Sequence, residues 1–271
     1  MTVRIGWVEI ADGVFVRRYP FLDQNIGVVV GGDAVLVVDS RASERLAREV
    51  LDDLRVITPR APTIVVDTHG HWDHCFGNRA FRPCTIWGHA GTEAFLVRTL
   101  EGQRTTAVEA DPDLADDLAG FVPDPPDATL TDAATIDLGG RTVGLRFLGR
   151  GHTDHDIVAI VDGTDVVFAG DLIEGANPPW FGDGFPIDWP ATDDALLALG
   201  AARYVPGHGP LFDHGAVAVQ ADEVRQIVDL AERVYEGHLE FEQAVPLAPW
   251  PADLAREPIA RGVGQLRGDI A

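Results

Sequence analysis

His69-Gly70-His71-Trp72-Asp73-His74 is the stretch on which the reading of this chain turns. Three imidazoles and one carboxylate fall within six residues. The stretch follows Thr63–Asp67, a short apolar run that reads as a strand, and the carboxyl end of a strand is the usual place for a site in an α/β sheet. Imidazole nitrogen and carboxylate oxygen are the donors that borderline cations such as Zn2+ prefer. The one-residue gap between His69 and His71 lets alternate side chains of an extended loop converge on one ion. Asp73 and His74 fall where a helix is expected to begin, and they point to a second position.

Upstream, Val14–Arg17, Asn25–Val30 and Ala34–Asp39 are rich in β-branched residues and are separated by glycine turns, so they read as strands. Ser43 to Leu54 has helical spacing, with Leu46, Val50, Leu51 and Leu54 on one face and Ser43 as the N-cap. Downstream, a weak strand at Thr85–Trp87 precedes a helix over Thr92–Leu100, and the acidic, proline-rich run from Asp111 to Pro126 reads as a surface excursion. A second β-rich block follows at Ala134–Leu138, Thr142–Phe147, Ile157–Val161 and Val166–Phe168. Ala191–Leu199 reads as a helix, Arg203–Val205 as a last strand, and Ala216–Leu239 as an amphipathic helix before a proline-rich tail that ends in another helical stretch.

Three further residues suit the same chemistry. His152 stands in Gly151-His152-Thr153, Asp171 in Ala169-Gly170-Asp171 and His208 in Pro206-Gly207-His208-Gly209. Each is expected in a loop after a strand, and the neighbouring glycine lets the backbone approach a site closely. Taken singly, each also reads as a turn aspartate or a capping histidine. Taken together, buried and unpaired, these imidazoles and carboxylates would cost many kcal/mol, whereas divalent ions would satisfy them.

The series His69, His71, Asp73, His74, His152, Asp171, His208 resembles the metallo-β-lactamase superfamily of binuclear metallohydrolases, over about residues 10–212. The resemblance implies an α/β fold, a four-layer αββα sandwich with metals at one edge of its sheets. That domain would span residues 1–215, with 216–271 a helical extension packed on it. It implies that His69, His71 and His152 hold one ion, that Asp73, His74 and His208 hold the other, and that Asp171 bridges both. Two ions sharing a carboxylate acidify a bridging water enough to supply hydroxide at neutral pH. Zn2+ is the expected metal, with Fe or Mn as alternatives. Asp171 and Asp73 are the candidate catalytic carboxylates, Asp73 being a ligand first and a proton shuttle second.

Departures from relatives narrow the chemistry. A cysteine stands where Asp171 does in the best-known zinc β-lactamases, and a lysine there often holds the drug carboxylate; this chain has neither feature. An aspartate bridge is similar to the glyoxalase II, lactonase and esterase side. Diiron flavoproteins of this fold carry glutamate at the position of His71. The expected function is therefore hydrolysis of an ester, thioester or lactone bond of a small molecule. The alternatives are a mononuclear iron enzyme of the persulfide dioxygenase kind, using His69, His152 and Asp171, or a β-lactamase.

Composition removes other classes. The 271 residues carry 43 acidic and 21 basic side chains, a formal charge of −22 that repels phosphate backbones, so no nucleic-acid partner is expected. All 21 basic residues are arginine, which leaves no lysine for a P-loop, a pyridoxal Schiff base or a Ser-x-x-Lys acyl enzyme. Two cysteines, Cys75 and Cys84, make no disulfide framework and point to a reducing compartment. Met1–Asp12 lacks the apolar core of a signal peptide, and no apolar run reaches the roughly 18 residues of a membrane span. The expectation is a cytoplasmic protein off the membrane, with homo-oligomer formation open. Trp180, Phe181 and Phe185, in the aromatic run after Asp171, are candidates for the substrate wall, ordinary packing being the alternative. His155 either lines the pocket or faces solvent. Trp72 reads as support, Cys75 as buried and inert, and His89, His214 and His238 as surface residues.

Overall fold

The computed structural model of the chain describes residues 2–4, 6–175 and 177–270; the limits read at Met1 and Ala271 lie outside these. Strands and helices follow in two β-then-α blocks. The first holds β1 (Thr2–Arg4), β2 (Trp7–Ala11), β3 (Val14–Tyr19), β4 (Gln24–Val30), β5 (Val35–Val38), α1 (Glu44–Leu54), β6 (Ile64–Val66), α2 (Trp72–Cys75), β7 (Thr85–His89), α3 (Thr92–Ala110), α4 (Leu114–Asp117) and β8 (Ala128–Leu130). The second holds β9 (Ala133–Asp137), β10 (Thr142–Phe147), β11 (Ile157–Val161), β12 (Val166–Glu174), α5 (Trp189–Leu197), β13 (Arg203–His208), α6 (His214–Tyr235), α7 (Phe241–Ala244) and α8 (Ala252–Arg267).

Strands β1 to β8 pair in chain order, antiparallel as far as β5 and parallel from there to β8. The second leaf runs β13-β12-β11-β10-β9, with only the β13–β12 pair parallel. The two leaves meet through one residue pair, His208 opposite Gln24. Period-two alternation explains the layering. In β5, Leu36 and Val38 enter the core between the leaves, while Val35 and Val37 pack outward with Ala47, Val50 and Leu54 of α1. In β12, Val166 and Phe168 face the inter-leaf core, and Val167 and Ala169 pack outward with Leu196 of α5 and Val217 of α6. Helix, sheet, sheet, helix is thus the order of layers, the expected αββα sandwich.

Ser43 caps α1 through its side chain, which accepts the Leu46 N–H. Elsewhere the elements outrun their sequence signals. β1 and β2 precede the first expected strand. Helix α3 continues ten residues past Leu100, to Ala110, because Gln103 and Ala107 extend its buried face. The excursion over Asp111–Pro126 is not wholly superficial: Leu114 and Leu118 are buried with Trp72, Phe76 and Leu96. Each such leucine contributes about 1.5–3 kcal/mol by burial.

Helices α6 and α8 pack with Phe181, Trp189 and Trp250 in a cluster of their own. Helix α8 also fastens the segment after β12: the Gln265 side chain accepts the Ile187 N–H at 2.9 Å and donates to Asp188 at 2.8 Å. No helix among the described residues is long and apolar enough to cross a membrane.

Candidate metal centre

The loop after β6 carries His69 and His71, the latter in extended backbone, and α2 begins at Trp72, which puts Asp73 and His74 on its first turn. Asp171 is not in a loop. β12 runs on to Glu174, and its pairing with β13 shifts register at Gly170, whose φ of 55° suits glycine. That bulge turns the Asp171 side chain toward the first leaf. His208 ends β13 at the single pair joining the leaves, so both blocks deliver their histidines to one edge. Gly207 must be glycine, since a Cβ there would lie 1.8 Å from Asp171 Oδ1 and 2.8 Å from His74 Cε1.

All seven candidate side chains come together. The donor atoms of His69, His71 and His152 lie within 4.8 Å of one another; so do those of His69, His74 and Asp171, and those of Asp73, His74 and His208. Asp171 Oδ2 is 3.8 Å from His69 Nε2, 3.3 Å from His74 Nε2, and 3.5 Å from both His152 Nε2 and His208 Nε2. Asp73 Oδ2 is 3.1 Å from His208 Nε2 and 3.4 Å from His74 Nε2.

The opposite ring nitrogens are occupied. His152 Nδ1 donates to the Trp180 carbonyl at 3.1 Å and His208 Nδ1 to the Leu22 carbonyl at 2.8 Å. A carbonyl only accepts, so in the neutral ring the Nε2 of each turns an unprotonated lone pair inward. Asp39 Oδ2 takes His74 Nδ1 at 2.9 Å, Thr68 Oγ1 meets His69 Nδ1 at 3.1 Å, and Asp183 Oδ2 meets His71 Nε2 at 3.2 Å. This leaves His71 Nδ1 facing His152 Nε2 at 2.8 Å, and His74 Nε2 facing His208 Nε2 at 3.2 Å. Lone pairs that close repel unless a proton or a cation lies between them. His69 Nε2 and Asp171 Oδ1 are buried with no hydrogen-bond partner. The donor set therefore fits divalent cations: nitrogen and oxygen donors, pre-oriented from outside and unsatisfied within.

Electrostatics divide the imidazoles. Burial pulls His69 well below the ordinary histidine value and His152 down to about 3, so both are neutral. Burial opposes charge on His74 and His208 too, but Asp171 and Asp73 outweigh it and hold both well above that value. In turn, burial raises Asp171 and Asp73, but the neighbouring His74 and His208 outweigh it and hold both carboxyls below the ordinary aspartate value.

Of the four candidates for the substrate wall, His155 and Phe181 stand elsewhere. His155 is fully buried: its Nε2 accepts the Gly70 N–H at 3.0 Å and its Nδ1 donates to Asp154 at 2.7 Å, so it neither lines a pocket nor meets solvent but holds the metal loop. Phe181 is in the core, its ring 4.7 Å from Trp189 and 5.8 Å from Trp250. Trp180 is 47% exposed, with its ring 5.4 Å from that of His71. Phe185 borders a cavity beside His71. Trp72 packs near Phe21, and Cys75 is buried with its thiol 3.3 Å from the His71 carbonyl and pushed up by burial. His214 and His238 are exposed, whereas His89 is half-buried against Phe147.

Sequence reasoning missed Asp39, Asp183 and Glu174. Asp39 follows the apolar run Val35–Val38 as His69 follows β6, a signal that was available. Glu174, three residues beyond Asp171, lies within 4.8 Å of the donor atoms of His152 and Asp171. Burial and the Asp171 charge push it up to about 8. Nothing in the sequence around Asp183 marks it as a partner of His71.

Residues 19–208 match the family description "Metallo-beta-lactamase superfamily". The chain belongs to that superfamily. Curated members similar to it include a metallo-beta-lactamase type 2 of Bacillus cereus, 23% identical over 186 residues that make up 67% of this chain and 65% of the relative. A linear primary-alkylsulfatase of Pseudomonas sp. is 26% identical over 166 residues, 54% of this chain and 24% of the relative. The chain thus spans under two thirds of these relatives' lengths. Among solved structures of the superfamily fold, a metallo-beta-lactamase from Pontibacter korlensis has a TM-score of 0.66 at 18% identity, covering 81% of this chain and 98% of that one. A stereoselective inverting sec-alkylsulfatase from Pseudomonas sp. has a TM-score of 0.76 at 16% identity, covering 96% of this chain and 50% of that one.

Proposed function

We propose that this protein is a binuclear metal-dependent hydrolase acting on an ester, thioester or lactone bond of a small molecule. The observation that carries the reading is the position of Asp171, one oxygen of which reaches the inward nitrogens of four imidazoles at 3.3–3.8 Å. His69, His71 and His152 would hold one ion, Asp73, His74 and His208 the other, and Asp171 both. Zn2+ suits the donor set best, with iron and manganese as alternatives. Bound there, a pair of divalent ions supplies an acidified water as nucleophile and an electrophile for the scissile bond.

The chain's own contribution is placement. Asp39, Thr68, Asp183 and the carbonyls of Leu22 and Trp180 fix the ring orientations from outside. Asp73 is a ligand first, and its carboxylate is also the candidate proton carrier during turnover. Trp180, half in solvent over His71, offers an apolar surface where a small substrate would arrive. A formal charge of −22 argues against a nucleic-acid substrate, and two free cysteines suit the cytoplasm.

Hydrolysis as the reaction class draws support from the relatives, which are named β-lactamases and alkylsulfatases. Sulfate-ester cleavage is the second reading, favoured by the similarity to the linear primary-alkylsulfatase. A single iron held by His69, His152 and Asp171 would leave Asp73, His74 and His208 without an ion, although their donor atoms gather just as closely. Metal analysis of the purified protein is expected to return close to two divalent ions per chain, and Asp171→Ala is expected to abolish hydrolysis of generic ester and thioester substrates. Nitrocefin, an alkyl sulfate and a persulfide with an oxygen electrode are the comparison arms. One ion per chain with undiminished hydrolysis in Asp171→Ala would sink the proposal.

A further inference from the structure

Beside the metal cluster, on the His71 side, lies a cavity of about 280 Å³. Its wall is one residue removed from the candidate ligands. The Phe95 ring in its wall stands 5.4 Å from that of His71, Asp183 meets His71 Nε2 at 3.2 Å, and Thr153 follows His152 in the chain. Two guanidiniums line this cavity, Arg98 from α3 and Arg261 from α8. Among the described residues neither has a carboxylate within ion-pair distance, although the chain holds 43 acidic residues. Arg98 sits 5.5 Å over the Phe95 ring, and Arg261 donates its Nε–H to the Gly184 carbonyl. An arginine presents five N–H donors in a fork matched to oxyanions, so most of both sets remain unspent.

The carboxylates on the same wall are already committed, Asp154 to His155 Nδ1 at 2.7 Å and Asp183 to His71. Phe95, Phe185 and Ile270 give the cavity apolar surface between the charges. Burial works against the charge of Arg261 and lowers its pKa, and the charges of Asp183 and Glu257 offset this only in part.

We propose that this cavity is the subsite for a terminal oxyanion, a carboxylate or sulfonate, carried by the molecule that is hydrolysed. The substrate is then an ester or thioester with an apolar body, the scissile acyl group at the metal cluster and the anion between Arg98 and Arg261. Water's oxygen bonds to the acyl carbon, the acyl–oxygen or acyl–sulfur bond breaks, and the released alkoxide or thiolate takes the proton; the oxyanion does not react. The subsite would make α8 part of the active site, and in this family reading it rests on the hydrolase proposal above.

The test pairs 4-acetoxybenzoate and 4-acetoxybenzenesulfonate with the neutral methyl 4-acetoxybenzoate, on the metal-loaded full chain. Wild type is expected to prefer the anions in kcat/KM by about tenfold or more, and Arg98→Gln and Arg261→Gln are each expected to cost the anions about tenfold more than the neutral ester. Arg98→Lys and Arg261→Lys are expected to keep most of the preference, which separates lost charge from lost folding. Calorimetric binding of 4-hydroxybenzoate against its methyl ester gives a second readout that needs no turnover. Equal use of anionic and neutral esters by wild type, or equal losses on both in the Gln variants, would overturn the subsite. Arginine-dependent binding without hydrolysis of any ester would leave the subsite standing and defeat the hydrolase reading. Asp171-dependent hydrolysis with no arginine dependence would do the reverse. The better of the two anions identifies which oxyanion the fork takes.

Discussion

The carboxylate of Asp39 lies 2.9 Å from His74 Nδ1 and also accepts the backbone N–H of Thr68 at 2.8 Å. Asp39 therefore orients one candidate ligand directly and, through Thr68 Oγ1, which meets His69 Nδ1 at 3.1 Å, a second. It does so from a left-handed backbone, φ 65°, a strain of about 1–3 kcal/mol that this hydrogen-bonded corner sustains. Asp39→Asn is expected to weaken metal binding by roughly 10- to 100-fold in a chelator competition. Unchanged affinity would mean that His74 needs no outer carboxylate.

Gly207 and Gly102 make a matched pair of substitutions. Alanine at 207 must displace Asp171 Oδ1, 1.8 Å from the added carbon, and a misplacement on that scale costs on the order of 100-fold in turnover. Metal content is expected to fall with it. Alanine at 102, inside α3 with nothing within 4 Å of its Cβ, is expected to raise stability by up to about 1 kcal/mol and leave activity alone. Metal analysis and thermal melts of both variants decide the matter.

His155→Phe removes the acceptor of the Gly70 N–H inside the metal loop. A buried donor left unsatisfied costs about 1–3 kcal/mol, so the urea midpoint is expected to drop. Because the ring also packs 4.6 Å from that of Phe95 and holds Asp154, both in the wall of the cavity next to the cluster, a modest rise in KM is expected to accompany the loss of stability. A raised KM at unchanged stability would return His155 to the substrate wall.

Asp156 gives a pH signature. It accepts the Thr153 N–H at 2.7 Å, yet burial pushes its carboxyl up to about 7, above the usual aspartate value near 3.8. The folded chain then binds this proton where the unfolded chain has lost it. The corresponding stability is present below about pH 4 and is lost as pH rises toward 7, with a slope of up to about 1.4 kcal/mol per pH unit from this group. Asp156→Asn is expected to remove that slope, so the variant's stability relative to wild type should climb between pH 4 and pH 7. Parallel denaturation curves for the two proteins across that range would contradict the assignment.

Much of the site was legible because its residues obey a local rule. A polar side chain beside glycine at the carboxyl end of an apolar strand marks His69, His71, His152, Asp171 and His208, and the helix start after His71 marks Asp73 and His74. Asp39 meets only half of that rule, since it ends the apolar run Val35–Val38 with no glycine beside it. Asp183 was beyond it, since the contact with His71 joins residues 112 apart in the chain. For the same reason the two readings of Phe181, wall or packing, stay open in the sequence, and His155 answers to neither of its own. An aromatic or an imidazole in a loop has no local signal of inside or outside, and here Trp189 and the Gly70 N–H drew them in.

Composition and strand patterning determined which chemistry this chain can carry: an acidic protein without lysine, with apolar strands that end in metal-type donors. Only the tertiary structure decided how those donors meet. The two leaves touch at His208 and Gln24, a bulge at Gly170 turns Asp171 across the seam, and α8 brings Arg261 to the cavity next to it. Periodicity is a property of neighbours along the chain, whereas a coordination cage and its substrate wall depend on distances between segments that only packing sets.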